Sequence, residues 1–87
     1  IMVNRKLIYL SFRSTREKLL AYLSDQAKIA QSEQFAIPFT RQELADFLCV
    51  DRSAMSSEIS KLHKEGVLET KKNMFRLFSK NQRINGR

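Results

Sequence analysis

Two helix starts that lie close together restrict the fold of this chain more than any other feature of its sequence. Thr40 followed by Glu43 fits a capping box, in which the threonine oxygen accepts from the glutamate amide and the carboxylate accepts from the threonine amide. The helix that follows ends near Leu48, so only residues 49–51 precede the next helix if Asp51 is its N-cap. Two short helices joined by a tight turn are therefore predicted. The apolar face of the first comprises Leu44, Ala45, Phe47 and Leu48.

The second helix carries its apolar residues on one side. Met55, Ile59 and Leu62 stand at positions i, i+4 and i+7, and Gly66 follows where a C′ glycine would end the helix. Ala45 is small where the two helices cross, so they can pack closely. This arrangement leaves the polar residues of the second helix's first turns facing outward.

A longer helix is predicted upstream of this pair. Ser14 and Glu17 form another capping box, and the apolar spacing continues to about Gln31. We expect Lys18 and Asp25 to stay outside the core. The predicted core-facing residues are Leu19, Leu20, Leu23, Ala27 and Ala30.

Extended segments flank the helix pair. Residues 35–39 alternate aromatic and aliphatic side chains around Pro38, which lacks an amide donor and so permits only an edge strand or an extended turn. Residues 67–70 and 74–78 are strand-like, and the turn between them includes Asn73, which tolerates left-handed backbone. A hairpin with a basic tip is predicted. Its turn residues are Lys71, Lys72 and Asn73.

Positive charge is concentrated at the two ends of the chain. The net charge is +7, made up of +4 over residues 1–16, −3 over residues 17–70 and +6 over residues 71–87. Clustered basic residues attract phosphate polyanions, because neutralising phosphates releases condensed counterions. A basic tail that only aids solubility fits the composition equally well. Residues 79–87 contain one apolar side chain, Ile84, and are predicted to be disordered.

Composition also excludes several classes of protein. The 87 residues suit one small domain, and a single Cys with a single His forms neither an internal disulfide nor a four-ligand zinc site. The longest apolar run has five residues, LLAYL at 19–23, whereas a membrane span needs roughly 20. No Gly-rich phosphate loop, carboxylate pair or positioned nucleophile predicts an enzyme. We expect a soluble cytoplasmic protein without a metal.

The predicted order is helix, short strand, capped helix, tight turn, second helix and basic hairpin. This order is typical of the winged helix-turn-helix fold, an α+β and mostly helical class with a three-helix core and a short β-hairpin wing. Upstream, Val3, Leu7 and Leu10 form a short helical stripe with which the chain opens, as in a fragment of a longer protein.

From Phe39 to Phe78, the run FTRQELADFLCVDRSAMSSEISKLHKEGVLETKKNMFRLF resembles the DNA-binding domain of the cyclic AMP receptor protein/fumarate-nitrate reduction regulator (CRP/FNR) superfamily. The preceding RSTREKLLAYL is similar to the first helix of that domain. The most specific elements are TRQELA at residues 40–45, Arg52 after the turn, and Glu65 with Gly66 before the wing.

The resemblance implies a bacterial transcription regulator that binds double-stranded DNA. Residues 1–12 would be the end of an upstream dimerisation helix, residues 13–78 the DNA-binding domain and residues 79–87 the tail. The fragment itself would hold no cofactor, and an upstream sensor domain would bind a small effector. The whole protein would be a homodimer on a near-palindromic operator, with RNA polymerase as a further partner and no membrane contact.

The same resemblance assigns residues that read bases. Arg52 matches a family arginine that enters the major groove, where a guanidinium binds guanine O6 and N7. Ser53 replaces a glutamate and Ser57 an arginine that many members carry, so the operator sequence of those members does not transfer. Two interpretations of these serines stay open: their hydroxyls hydrogen-bond to bases or phosphates, or the residues are small and make no contact with DNA. The base-reading candidates are Arg52, Ser53, Ser56 and Ser57.

Phosphate contacts are expected at helix starts and at the hairpin. Helix N-termini attract phosphate through free amides and the positive dipole end. Arg41 and Gln42 resemble the residues with which the family contacts DNA phosphates at the start of this helix, and the hairpin residues resemble its wing contacts. The candidates are Thr40, Arg41, Gln42, Asp51, Lys71, Lys72 and Asn73.

Cys49 occupies a turn position that is often glycine, so we expect left-handed backbone there and a buried structural thiol. His63 is expected to be exposed. Glu58 falls where the helix-turn-helix pattern is usually apolar, which indicates a small shift of the buried stripe.

Two other functions remain open from the sequence. A winged helix that binds an acidic protein partner would expose aromatic or large apolar residues between Arg52 and Ser57. A nonspecific nucleic-acid binder would expose aromatic rings between its basic residues, for which Phe75 and Phe78 are the candidates.

Overall fold

The computed structural model describes residues 5–78, which form four helices and a three-stranded sheet. The N-terminal end of the predicted stripe, with Val3, and the predicted disordered tail at 79–87 lie outside the described residues. In chain order the elements are α1 (Arg5–Ser11), α2 (Thr15–Ala30), β1 (Gln34–Ala36), α3 (Arg41–Leu48), α4 (Arg52–Lys64), β2 (Leu68–Lys71) and β3 (Met74–Leu77).

All three predicted helix starts have their capping side chains in place. The Ser14 hydroxyl accepts from the Glu17 amide at 3.0 Å, and the Ser14 amide donates back to the Glu17 carboxylate. Thr40 and Glu43 make the same reciprocal pair at 3.1 and 2.8 Å. Asp51 accepts from the Ala54 amide at 3.1 Å. Each cap satisfies an amide that would otherwise lack a partner, so these starts are local consequences of the sequence.

The predicted helix ends are also present, with one correction. Gln31 and Cys49 take left-handed backbone at φ 54° and 57°, and Gly66 does so at φ 79°. The prediction that the Cys49 thiol is buried is wrong, because the side chain is exposed. The left-handed turn reverses the chain so that Leu48 and Val50 pack on the core, and the residue between them faces solvent.

The sheet joins the predicted hairpin to the predicted edge strand. Its order is β1-β3-β2, and both pairings are antiparallel. Lys71 pairs with Met74, which leaves a two-residue turn. The left-handed residue of this turn is Lys72, at φ 56°, and not Asn73 as predicted. Asn73 instead donates its side-chain amide to the Ile37 carbonyl at 3.1 Å.

The core lies between α2, α3, α4 and the inner face of the sheet. Two details of the α2 prediction are wrong: Ala30 is exposed, and the Asp25 side chain is only 14% exposed. Ala30 belongs to the last turn of α2, beyond the packed surface. Asp25 binds α1 instead of facing solvent. The buried side chains are Tyr9, Leu19, Tyr22, Leu23, Phe35, Ile37, Leu44, Ala45, Leu48, Met55, Ile59, Leu62, Leu68 and Phe75.

Helix α1 is a separate short helix packed on α2 and α3. Tyr9 is buried against the rings of Tyr22 and Phe47, at centroid distances of 5.7 and 6.2 Å. Leu7, from the predicted stripe, is 66% exposed. No helix within residues 5–78 is long and apolar enough to cross a bilayer.

Candidate nucleic-acid interface

The exposed face of α4 contains every predicted base-reading residue. Met55, Ile59 and Leu62 are buried, which fixes the rotation of the helix about its axis. The opposite side is polar, and no large apolar side chain emerges from its first two turns. The exposed candidates on that side are Arg52, Ser53, Ser56 and Ser57.

Arg52 is the first residue of α4, directly after its cap. It forms no ion pair within the described residues, so its guanidinium is available to a ligand. Asp51, a predicted phosphate contact, has its carboxylate on the Ala54 amide. A carboxylate repels phosphate. The groups at this helix start that favour a DNA phosphate are therefore the main-chain amides of the first turn.

The start of α3 and the tip of the hairpin border one cleft of about 490 Å³. It brings together Thr40, Arg41, Lys72 and Asn73 from the predicted phosphate set. Gln42 lies outside it and donates to Asp46 at 2.9 Å. Lys71 is exposed and borders a second cleft of about 280 Å³ with His63 and Arg76. The exposure of His63 is as predicted.

Arg41 is placed differently from an exposed phosphate-binding arginine. Its side chain is half-buried, its Nη2 donates to the Thr70 hydroxyl at 3.0 Å, and its Cζ lies 4.9 Å from the centroid of the Phe75 ring. Burial lowers the pKa of the Arg41 guanidinium, since low-dielectric surroundings disfavour the charged form. The group still stays protonated, as arginine does throughout the accessible pH range.

An ion-pair network that the sequence did not reveal joins α2 to α4. Arg16 donates through Nε to Glu58 at 3.0 Å and through both terminal nitrogens to Glu65, at 2.9 and 2.7 Å. Lys61 lies 3.7 Å from Glu58. The hydrogen bonds with Glu65 and then Glu58 raise the pKa of the Arg16 guanidinium. The carboxylate at the usually apolar position of Glu58 was the only sign of this network in the sequence.

A second unpredicted cluster attaches α1 to α2. Arg5 makes a two-pronged pair with Asp25, at 2.8 and 3.0 Å, and the Tyr9 hydroxyl donates to the same carboxylate at 2.7 Å. Burial, followed by the bond with Asp25, raises the pKa of Tyr9 to about 12. The side chain of Lys6 lies over the Phe47 ring at 5.0 Å. Helix α1 is thus held against both α2 and α3.

The described residues give little support to other chemistry. Within residues 5–78 no three His, Cys, Asp or Glu side chains are grouped as a metal site would require. Phe75 is buried, and Phe78 is half-buried with Arg76 lying 5.3 Å from its ring centroid. These rings therefore do not form the exposed stacking platforms expected of a nonspecific single-strand binder.

Comparison with known proteins identifies a relationship over most of the chain. Residues 17–81 match the model of the Crp-like helix-turn-helix domain. The fold is similar to that of FixK2 from Bradyrhizobium japonicum, with a TM-score of 0.75 and 21% sequence identity. That similarity covers 92% of this chain and 41% of FixK2, so the chain spans less than half of the FixK2 length. No curated protein sequence shows a significant match.

Proposed function

Because the chain belongs to the Crp-like helix-turn-helix domain family, we propose that it binds double-stranded DNA sequence-specifically, with α4 in the major groove. DNA-binding transcription regulators, and not enzymes, form this family. The proposal also assigns which residues contact the bases and which contact the phosphates of the DNA.

The observation that carries this proposal is the exposed polar face of α4. A major groove about 12 Å wide admits one helix, and hydrogen-bonding side chains on its outer face meet base edges. Arg52 leads this face and has no intramolecular ion pair among residues 5–78. Its guanidinium fits the two acceptors of guanine. A protein interface would need large apolar groups here, and Met55 is buried.

In the proposal, contacts with the DNA backbone come from the two elements next to this helix. Lys71 and Lys72 lie at the hairpin tip, and the first turn of α3 offers amides beside Thr40 and Gln42. Contacts with phosphates fix the register of the protein without selecting a sequence.

In the proposed biological unit, two copies of this domain bind a near-palindromic operator as part of a longer cytoplasmic regulator. An upstream domain would supply effector binding and dimerisation through the segment that includes α1. RNA polymerase would be the partner of the assembled complex.

Selection of duplexes from a random library by the purified chain tests the proposal. We expect one motif to be enriched, and we expect Arg52→Ala to relax the preference at one base position, since a bidentate contact is worth about 1–3 kcal/mol. Arg13→Ala, which removes an exposed arginine between α1 and α2, is the charge-matched control. Equal recovery of all duplexes by the unaltered chain would refute sequence-specific binding.

A further inference from the structure

We infer that Arg41 is a positioning residue that holds the β2–β3 hairpin against the start of α3. Its contribution to DNA binding is then exerted through Lys71 and Lys72. This role rests on the proposed function, and it differs from the direct phosphate contact expected from the sequence.

The first attachment runs from α3 into the hairpin. Arg41 Nη2 donates to the Thr70 hydroxyl, and that hydroxyl donates to the Met74 carbonyl at 2.9 Å. The guanidinium also covers Phe75, which is 1% exposed and pairs with Thr70 across the strands. One side chain of α3 therefore contacts both strands of the hairpin.

A second attachment lies within the turn itself. The Asn73 side chain donates to the Ile37 carbonyl at 3.1 Å, and the Ile37 amide donates to the Asn73 carbonyl at 2.9 Å. Ile37 is 1% exposed, so this anchor belongs to the core. Ile37 lies three residues before the cap Thr40. The anchor therefore joins the hairpin tip to the segment that leads into α3.

Two anchors, one on the strand before the two-residue turn and one within the turn, limit the rotation of the tip. An isolated hairpin is only marginally stable in water, and ordering flexible lysines on binding costs free energy. A tip already held beside α3 presents Lys71 and Lys72 in one place relative to the helix pair. Removing the Arg41 anchor leaves the tip held at Asn73 alone, so the tip is less restricted while both lysine charges remain.

A test compares the effect of Arg41→Ala in two backgrounds, using a labelled duplex of the sequence enriched by selection. In the unaltered chain we expect an affinity loss of about three- to tenfold, the range for one or two hydrogen bonds. In the Lys71→Ala/Lys72→Ala background we expect almost no further loss, because the residues through which Arg41 acts are absent. Equal losses in both backgrounds would show a direct contact and overturn the role.

Two further variants keep the test independent of overall stability. Thr70→Val removes the acceptor but leaves the Arg41 charge, and we expect a loss similar to that of Arg41→Ala. Arg41→Lys keeps the charge but loses the planar fork, and we expect it to fail to restore binding. Full affinity in Thr70→Val would contradict the role. Circular dichroism confirms that each variant is folded.

The salt dependence of binding separates the two roles further. If Arg41 contacted a phosphate, Arg41→Ala would make the negative slope of log affinity against log salt less steep by about 0.9, and Thr70→Val would leave that slope intact. We expect Arg41→Ala and Thr70→Val to change the slope equally. Failure of the unaltered chain to bind any duplex would refute the proposed function, whereas additive losses would refute only this role.

Discussion

Cys49 shows how a single residue can carry strain without a compensating contact. Its backbone is left-handed at φ 57°, a region in which a Cβ atom crowds the following carbonyl, and its side chain is exposed. The turn needs this conformation because the amides of Cys49 and Val50 close the end of α3 on the Asp46 and Ala45 carbonyls. The thiol itself fills no space in the core.

We therefore expect Cys49→Gly to stabilise the chain. Glycine adopts left-handed backbone without the Cβ penalty, and after its larger loss of entropy the gain is about 0.5–1 kcal/mol. For a domain of this size the unfolding midpoint would rise by about 2–8 °C, measured by thermal denaturation under reducing conditions. Cys49→Ala is the control, since it removes the thiol but keeps the Cβ, and a similar rise in that variant would contradict the explanation.

At the scale of elements, Arg16 attaches the first turn of α2 to the middle of α4 and to its C-terminal cap. Its contacts with Glu58 and Glu65 span 42 and 49 residues of sequence. These pairs are partly exposed, with 36% of the Arg16 side chain accessible, so salt should screen them. Their geometry is nevertheless two-pronged on Glu65, which favours a defined orientation of the helix.

Arg16→Ala is expected to lower the free energy of unfolding more than Arg13→Ala does, with the difference shrinking in high salt. In a Glu58→Gln/Glu65→Gln background the same change should cost clearly less, because its partners are already neutral. Urea denaturation of the five proteins gives both comparisons. An identical loss in the two backgrounds would show that the network does not stabilise the α2–α4 packing.

These elements also show what the sequence could predict. The caps Ser14, Thr40 and Asp51 were predictable because each acts on an amide three residues ahead, and the buried stripe of α4 follows from helical periodicity. The attachment of Arg16 to α4 and of Arg41 to Thr70 depends on tertiary placement, and no local pattern encodes it. The exposure of Cys49 was missed because hydrophobicity predicts burial, whereas the turn geometry dictates the direction of the side chain.

The aromatic cluster that joins α1, α2 and α3 gives the protein a predictable response to alkaline pH. Burial raises the pKa of Tyr22, and burial with the Asp25 bond raises that of Tyr9, each to about 12 from an ordinary 10.0. A raised pKa means that folding favours the neutral phenol. Its contribution to stability is complete below pH 10 and is lost as the pH rises from 10 towards 12.

We expect the urea midpoint to fall over that interval, and Tyr9→Phe to make the fall shallower while lowering stability at neutral pH. Phenylalanine keeps the ring contacts with Tyr22 and Phe47 but leaves Asp25 with Arg5 as its partner. Denaturation of both proteins between pH 8 and 12 measures the difference. Parallel curves would mean that Tyr9 ionisation does not contribute to the alkaline transition.

At the scale of the whole molecule, the size of the domain bears on how two copies could share one duplex. The described part measures 35 × 33 × 24 Å, and one turn of DNA spans about 34–36 Å. Because these dimensions are close to one turn, two copies with α4 in successive major grooves on one side of the duplex would lie next to each other. Half a turn of additional spacing would place the second copy on the opposite face of the duplex.

A pair of chains joined by a flexible linker should accordingly bind two half-sites one turn apart about 10²–10⁴ times more tightly than one chain binds a single half-site. The gain comes from effective concentration, so it depends on both copies reaching their sites together. Lengthening the spacer by half a turn should remove most of it, and so should Arg52→Ala in one of the two copies. Anisotropy titrations at one salt concentration compare the duplexes. If affinity did not vary with spacing, the two copies would not be docking with their α4 helices in aligned grooves.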